Sequence, residues 1–381
     1  MKERSDMKNP RHRSDQTIYL LITAVFCCIL LSSHGRSISI DRRGIVHAMG
    51  IDPCESGYRV SLQIFQPAGS GSDTAVDVTG ANVAVAVSKG KTVSEALSKA
   101  GSSTGKELFF GHLQLICLGG DITLDDPHKL FAFALGGKNI SPSADLCMAT
   151  GKAEELMRLK LTEDETSAEA LSSLLATSGE YSRTLSCDLK SLLSEECSAA
   201  MPVLEVISGS DTDSSSADSP TISESVRIAG TAVITEVGKM MLTENEALPA
   251  ALLAGKADKG SIVSDLNGKS VTCELDNCHR HRVIIAKNGR LILTTNITVS
   301  ARPDHELDPE QSRELSNVIS HALESDCTAL QSKMFQSGAD IFGTIQLIKQ
   351  HFPKLWLKHQ NAPKKLLSAI DTNVNITVKV V

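Results

Sequence analysis

The sequence predicts a multi-domain, mixed α/β (α+β) protein whose mixed sheets are each flanked by helices, preceded by one N-terminal membrane or signal segment. Three observations lead to this fold class. Segments with the two-residue period of strands and the 3.6-residue period of helices follow each other along most of the 381 residues. A Ser/Asp-rich stretch at 208–225 divides them into two halves. A basic N-terminus precedes the one hydrophobic stretch of membrane character, at 18–31.

These observations predict five segments along the chain. The Ser/Asp-rich stretch has almost no apolar residues, so burial cannot offset the entropy lost on ordering it. It is therefore expected to be a linker between two domains. The predicted segments are a basic cytoplasmic stub (1–17), a hydrophobic signal or anchor segment (18–33), an N-terminal α/β domain (36–207), the linker (208–225) and a C-terminal α/β domain (226–381).

The hydrophobic segment allows three interpretations. Its uncharged run of fourteen residues, 18–31, is shorter than a typical spanning helix but suits a signal peptide. It is either an uncleaved anchor, a signal cleaved near the small residues Ser33 and Gly35, or a lipoprotein segment modified at Cys27 or Cys28. The residues before Cys28 match a lipidation motif poorly. All three interpretations place the rest of the chain outside the cytoplasm, because basic flanks stay inside.

In the first half, alternation at Tyr58–Phe65 and an apolar run at 45–50 predict a β-hairpin. Thr92 and Glu95 form a capping-box pattern that predicts a helix start. The remaining predicted elements are strands at 82–87, 112–118 and 144–150, and helices at 126–135 and 152–160; residues 163–200 are helix-prone.

In the second half, Asn288-Gly289 predicts a tight hairpin between strands at 270–286 and 291–299. A long helix begins at Asp308, and its apolar residues form a one-sided stripe that is typical of a face packed on a sheet. The other predicted elements are a strand at 226–237, helices at 243–254 and 341–352, and a strand at 374–380.

No catalytic motif is present, so the chain is not expected to be an enzyme or to hold a cofactor. Gly90-Lys91-Thr92 lacks the upstream glycine of a phosphate-binding loop and is explained by a turn and a helix cap. A net charge of −7 argues against nucleic acid as a partner. His112, in an apolar context, is expected to be a hydrogen-bonded core residue.

The cysteines provide one alternative. Eight follow the hydrophobic segment, several of them inside apolar runs, and they are expected to be mostly free, buried thiols. Their pairing cannot be assigned from sequence. Cys278, His279 and His281 are ligand-type residues, but they lack zinc-chelate spacing and lie in a strand-like stretch. The expected interpretation is that these residues form no site, and the alternative is that they bind a metal.

Several segments, in this order and spacing, resemble the Ger(x)C family, the C subunits of spore nutrient-germinant receptors. The resemblance spans about residues 40–380. The matching segments are Ile45–Asp52, Gly57–Val60, Gln63–Pro67, Gly90–Leu97, Phe109–Leu113, Thr150–Ala153, Ala229–Val233, Gln331–Gly343 and Phe352–Trp356.

The resemblance implies a non-catalytic subunit on the outer face of the spore inner membrane, built from mixed α/β domains. Its implied partners are a polytopic membrane subunit and a second receptor subunit, with which it acts in germination. Relatives are lipoproteins, but the family's lipidated cysteine position falls here at His34. Direct anchoring by 18–33 is therefore favoured, with Cys28 as the remaining lipidation candidate. The alternative function is a stand-alone exported binding protein or metalloprotein.

Overall fold

The computed structural model describes residues 20–26, 43–65, 83–123, 127–136, 139–159, 167–194, 198–210, 222–235 and 238–381. The chain divides into two compact units, Met1–Arg43 and Gly44–Val381. In the first unit, residues 20–26 are helical and exposed. Among the described residues, no helix is both long and apolar enough to cross a membrane. The rest of the hydrophobic segment lies outside the described residues.

Helices and strands are numbered from Arg43 onward. The strands are β1 (Arg43–Cys54), β2 (Gly57–Phe65), β3 (Val83–Gly90), β4 (Glu107–Phe109), β5 (Leu115–Leu118), β6 (Asp145–Ala149), β7 (Ser198–Ser210), β8 (Ile222–Thr235), β9 (Gly238–Leu242), β10 (Gly260–Leu266), β11 (Lys269–Lys287), β12 (Arg290–Pro303) and β13 (Asp371–Val380). The helices are α1 (Val93–Thr104), α2 (Pro127–Leu130), α3 (Ala132–Leu135), α4 (Ala153–Arg158), α5 (Ser167–Glu180), α6 (Leu189–Ser194), α7 (Glu244–Ala254), α8 (Pro309–Ser337), α9 (Thr344–His351), α10 (Pro353–His359) and α11 (Pro363–Ser368).

The first sheet has the strand order β3-β2-β1-β5-β6-β7-β8-β9, and β4 also pairs with β1. Its central pairs, from β1 to β7, are parallel, whereas both flanks are antiparallel. Alternate residues of β5 and β6 enter two different cores. Ile116 and Leu146 pack with α1, and Cys117 and Cys147 pack with α4 and α5. Helices therefore cover both faces, which explains the continuous apolar runs of these strands.

The predicted hairpin and the helix cap at Thr92 are confirmed, but the capping box is incomplete, because the Glu95 side chain bonds the N–H of Lys91 and not that of Thr92. β1 pairs antiparallel with β2, ending at Cys54 opposite Gly57. The Thr92 hydroxyl accepts from the Glu95 N–H at 3.2 Å, and the Glu95 carboxylate accepts from the Lys91 N–H at 2.9 Å. A Cβ on Gly90 would lie 2.5 Å from the Ala96 nitrogen. Gly90 thus permits close contact between the turn and α1, and needs no phosphate to explain it.

The ends of the predicted linker at 208–225 differ from expectation. β7 and β8 pair antiparallel along their length, as far as Ser210 opposite Ile222. Residues 208–210 and 222–225 are therefore strand residues, and the chain completes the first sheet with β8 and β9 before entering the second. Composition did not reveal this, because cross-strand hydrogen bonds stabilise strand ends without needing apolar side chains. The five-segment division itself stays a prediction.

The second sheet has the order β10-β11-β12-β13, with β13 parallel to β12 and the other pairs antiparallel. The predicted Asn-Gly hairpin joins β11 to β12. The stripe on α8 is confirmed as the face that packs into the core of this half. Its buried residues include Leu315, Ile319, Leu323, Cys327, Leu330 and Met334. Val318, expected in the same stripe, is instead 38% exposed.

Side chains of α8 also close the outer edge of β13. Glu324 accepts from the N–H of Ile376 at 2.7 Å, and Ser320 accepts from the N–H of Val378 at 3.1 Å. The Ser316 hydroxyl donates to the carbonyl of Val378 at 2.6 Å. These three residues, four apart on one helix face, satisfy backbone groups that an open strand edge would offer to another chain.

Candidate functional site

The residues that carry the family resemblance meet at two places, and the first is centred on Asp52. Asp52 ends the apolar part of β1 and is only 4% exposed. Its carboxylate accepts from the backbone N–H groups of Ala153 at 2.7 Å and Glu154 at 3.0 Å. These are the first two residues of α4, so Asp52 supplies the helix cap that Lys152 does not provide.

An ion-pair network surrounds this cap. Glu154 contacts Arg59 of β2 at 2.9 Å and Arg158 of its own helix at 2.8 Å. Burial opposes ionisation of Glu154, but the bonds from Arg158 and Arg59 outweigh it and lower its pKa. The pKa of Asp52 is raised, chiefly because burial removes water from its carboxylate. Sequence reasoning missed Arg59 and Glu154, which are 95 residues apart and belong to no common motif.

Two glycines make the approach of these elements possible. A Cβ on Gly119, directly after β5, would lie 2.2 Å from the Asp52 carboxylate. A Cβ on Gly120 would lie 2.5 Å from the carbonyl oxygen of Thr150. The carboxyl ends of β1, β5 and β6 therefore meet without space for a side chain. We call Asp52, Arg59, Gly119, Ala153 and Glu154 the Asp52 junction. Its geometry ties strands to a helix.

The second meeting place is the segment Gly338–Gly343, between α8 and α9. The Asp340 carboxylate accepts from the N–H groups of Thr344 at 2.8 Å and Ile345 at 2.6 Å, which caps α9. The Asp340 N–H donates to the Ser198 hydroxyl at 2.6 Å, so this segment also holds the start of β7. Here too, residues from the segments that carry the family resemblance connect helices and strands.

Two arginines on β11 complete the second meeting place. Arg282 donates to the carbonyl of Phe342 at 2.7 Å, and Arg280 donates to the carbonyl of Leu253 at the end of α7. A positive charge at a helix carboxyl end is favourable. Burial lowers the pKa of both arginines, and that of Arg280 to about 10.

A polar cavity of about 470 Å³ lies at the amino ends of β5 and β6. His112 lines it and is exposed, so the expectation of a core histidine was wrong. The reason is that β5 begins only at Leu115, and His112 lies in the preceding turn, against Phe109. Asp145 also lines the cavity, and burial raises its pKa. The arrangement suits a few water molecules or a small polar molecule.

The seven described cysteines beyond the hydrophobic segment are free thiols, and five of them are buried. Cys117 and Cys147 lie opposite each other on neighbouring parallel strands. A hydrogen bond between the two thiols, together with burial, raises the pKa of Cys117. These two cysteines act as small core residues in the described part of the chain.

The three metal-candidate residues do not converge. A bulge in β11 lies between Asp276 and His279, and beyond it the side chains alternate between faces. His279 and His281 are exposed on one face, whereas Cys278 packs against the core on the other. Burial raises the pKa of Cys278 to about 11, so its thiol is neutral and a poor ligand. No group of three metal-ligating side chains occurs among the residues that the structure describes.

Zinc analysis tests this separation. We expect the purified chain, dialysed against zinc and then buffer, to retain no stoichiometric metal. The double variant His279→Ala/His281→Ala should therefore match the wild type. The measurement is zinc content by atomic emission. One equivalent of zinc in the wild type that is lost both in the double variant and in Cys278→Ala would contradict the placement of Cys278 on the face opposite the two histidines.

The two lipidation positions, Cys28 and His34, lie outside the described residues. Next to them, residues 20–26 form a helix whose large apolar side chains are more than half exposed. These are Leu20, Leu21, Ile22, Val25 and Phe26.

Comparison with known proteins identifies the class of protein to which this chain belongs. Residues 36–208 match the family described as the spore germination protein N-terminal domain. Residues 229–381 match the family described as spore germination B3/GerAC like, C-terminal. The two matched ranges cover most of the chain and define a spore germination protein. The chain belongs to the Ger(x)C family.

Individual relatives agree with this assignment. Spore germination protein KC of Bacillus subtilis strain 168 is 22% identical over 342 residues, which cover 82% of this chain and 83% of that protein. YfkR of the same strain, also named for spore germination, is 25% identical over 297 residues, covering 74% and 73%. The crystal structure of the GerBC protein superposes with a TM-score of 0.52 at 15% identity, covering 87% of this chain and 96% of that one. That likeness confirms the mixed α/β, multi-domain fold.

Proposed function

We propose that this protein is the membrane-attached, non-catalytic C subunit of a nutrient germinant receptor. It stands on the outer face of the spore inner membrane and acts with a polytopic membrane subunit and a second receptor subunit. The observation that carries the proposal is family membership across both halves of the chain. A protein that keeps both domains of a receptor subunit is expected to share its role.

The geometry of the motif residues supports a scaffold role. At the Asp52 junction and at Gly338–Gly343, the motif residues bond backbone groups and each other. Catalytic constellations instead aim a nucleophile and a base at an open cavity. A receptor subunit that transmits binding between partners depends on rigid connections between elements, which is what both meeting places provide.

The N-terminus supports attachment to the membrane. The basic residues of the stub favour the cytoplasmic side, and the exposed apolar helix at 20–26 has no polar face to present to water. The position at which relatives carry a lipid is His34, so the hydrophobic segment itself provides the attachment.

The mass of the protein extracted from spore membranes tests the mode of attachment. We expect the intact chain of 40.7 kDa, because an anchor is retained. A product that lacks about 35 residues would instead indicate a cleaved signal. A shortened chain that begins at Cys28 with added diacylglycerol would indicate a lipoprotein, and either result would contradict the anchor.

A deletion strain tests the receptor role. Spores that lack this protein are expected to lose germination on the nutrients sensed by its receptor, while germination triggered by a non-nutrient agent remains. The measurement is the fall in optical density of a spore suspension with each nutrient. Complementation with the full chain is the control. Normal germination of the deletion strain on every nutrient would overturn the proposal.

A further inference from the structure

The charge of the chain is unevenly distributed at its C-terminal end. Residues 341–370 contain five lysines and two histidines, but no aspartate or glutamate. The whole chain, by contrast, has 45 acidic residues in 381 and a net charge of −7. This stretch of thirty residues has no carboxylate side chain, so its net charge is positive while that of the whole chain is negative. Counting charges in a window along the sequence would have found it.

The fold presents four of these five lysines on two consecutive short helices, α10 and α11. Lys354, Lys358, Lys364 and Lys365 are all exposed. Within the part of the chain that the structure describes, none of the four forms an ion pair, although nine pairs occur elsewhere. Their charges are thus available to an external partner.

An apolar side chain lies among them. Leu357 is 63% exposed, although burial of such a large apolar side chain would be favourable. Leu357 and Lys358 follow Lys354 by three and four residues, so both lie beside it on one side of α10. Next to them, the half-buried ring of Trp356 lies under the Lys349 ammonium, 4.7 Å from the ring centroid. The face thus combines an apolar tip with flanking cations.

The turn between β11 and β12 lies beside α10 and α11 and adds further basic side chains. A groove of about 390 Å³ is lined by Arg290 of the turn, His359 of α10 and Lys365 of α11, and also by the acidic Asp371. Arg290 also lies 3.6 Å from Asp371, the first residue of β13. Lys287, at the other end of the turn, is exposed. Exposed basic side chains therefore occur on two neighbouring helices and on the adjacent strand turn. We call Lys287, Arg290, Lys354, Leu357, Lys358, Lys364 and Lys365 the α10–α11 surface.

We propose that the α10–α11 surface docks on a bilayer that carries anionic headgroups. Leu357 enters the boundary between headgroups and acyl chains, and the lysine stems extend so that their ammonium groups contact lipid phosphates. The combination selects a membrane over a nucleic acid, because an exposed leucine contributes nothing to phosphate-backbone binding and the nearby tryptophan is covered. This inference rests on the proposed function for its setting, an extracytoplasmic subunit held close to a membrane.

Vesicle binding tests the docking. The test uses residues 36–381, because Gly44–Val381 form one compact unit with its own cores, and circular dichroism checks the fold of every variant. We expect binding to phosphatidylcholine vesicles that contain phosphatidylglycerol and none to phosphatidylcholine alone. Since each lysine near such a surface contributes about 1 kcal/mol, Lys354→Gln/Lys358→Gln/Lys365→Gln should reduce partitioning on the order of 100-fold.

Two further variants sharpen the test. Leu357→Asn should reduce partitioning about tenfold through lost apolar burial. The matched control removes the same number of charges elsewhere: Lys89→Gln/Lys152→Gln/Lys269→Gln, all exposed and outside the α10–α11 surface. This control should bind like the wild type. Raised salt should weaken binding of the wild type and of the control.

Three results would overturn the proposal: no binding to anionic vesicles, equal binding to neutral vesicles, or equal losses in the test and control variants. Binding to heparin that depends on the three lysines, without binding to vesicles, would show that the surface recognises another polyanion. The assay contains no receptor partner and no spore. A negative result in this assay would therefore not contradict the receptor role. Normal germination of the deletion strain would, in turn, not contradict lipid binding.

Discussion

Replacing Asp52 with alanine is expected to lower the free energy of unfolding by about 3 kcal/mol. The variant leaves the buried N–H groups of Ala153 and Glu154 without an acceptor and opens a small cavity at the Asp52 junction. It also removes the side-chain hydrogen bonds from β1 to the start of α4. The measurement is urea unfolding of residues 36–381, followed by circular dichroism.

Asp308→Ala is the matched control. Asp308 caps α8 by accepting from two backbone N–H groups, those of Glu310 and Gln311, at 2.9 and 2.8 Å. Its geometry resembles that of Asp52, but Asp308 is exposed, so water replaces the lost acceptor. We expect a cost of about 1 kcal/mol. Equal costs for the two variants would show that burial of the Asp52 junction adds nothing to the cap.

The pH dependence of Asp52 has a defined sign. Because its folded pKa is raised above the usual value of 3.8, the folded state binds the proton more tightly than the unfolded state. Stability contributed by this group therefore falls as the pH rises from about 3.8 through the raised folded pKa, and it is regained on acidification.

Asp52→Asn isolates this contribution, because asparagine does not titrate. As the pH falls through that window, the unfolding free energy of the wild type should rise relative to that of Asp52→Asn. A difference that changes in the opposite direction would show that the junction lowers the pKa of Asp52.

Replacing Ile319 with alanine is expected to cost about 3 to 4 kcal/mol in unfolding free energy. Ile319 is fully buried on α8 and packs in the core of the second half. Truncation removes three methyl or methylene groups, and the strands beneath cannot move inward because α8 is also bonded to the β13 edge.

Val318→Ala is the control on the same helix. Val318 is 38% exposed, so we expect a cost below about 1 kcal/mol. Both variants are measured by urea unfolding at one pH. A cost for Val318→Ala as large as that for Ile319→Ala would contradict the orientation of α8.

Much of the local structure could be predicted, because it depends on neighbours in the sequence. The hairpin of β1 and β2, the cap at Thr92 and the Asn-Gly turn all arise from residues within a few positions of each other. The stripe of α8 is likewise a property of its own spacing. Where local signals were ambiguous, as at His112, the strand began later than the apolar run suggested.

The contacts within the site could not be predicted in the same way. Asp52 and Ala153 are 101 residues apart, and Asp340 and Ser198 are 142 apart. The resemblance marked the residues but gave them no partners. The metal hypothesis at Cys278, His279 and His281 failed for the opposite reason. These residues are close in sequence, but strand alternation directs Cys278 to one face of the sheet and the two histidines to the other.

The sequence by itself determined the fold class, the family and the position of the basic and hydrophobic segments, because periodicity, composition and motif order are properties of the chain alone. Only the tertiary structure decided that motif residues form a buried junction, that β8 and β9 complete the first sheet, and that Leu357 stands exposed between lysines. These features depend on which distant elements meet. Burial and charge pairing arise only when folding brings such elements into contact.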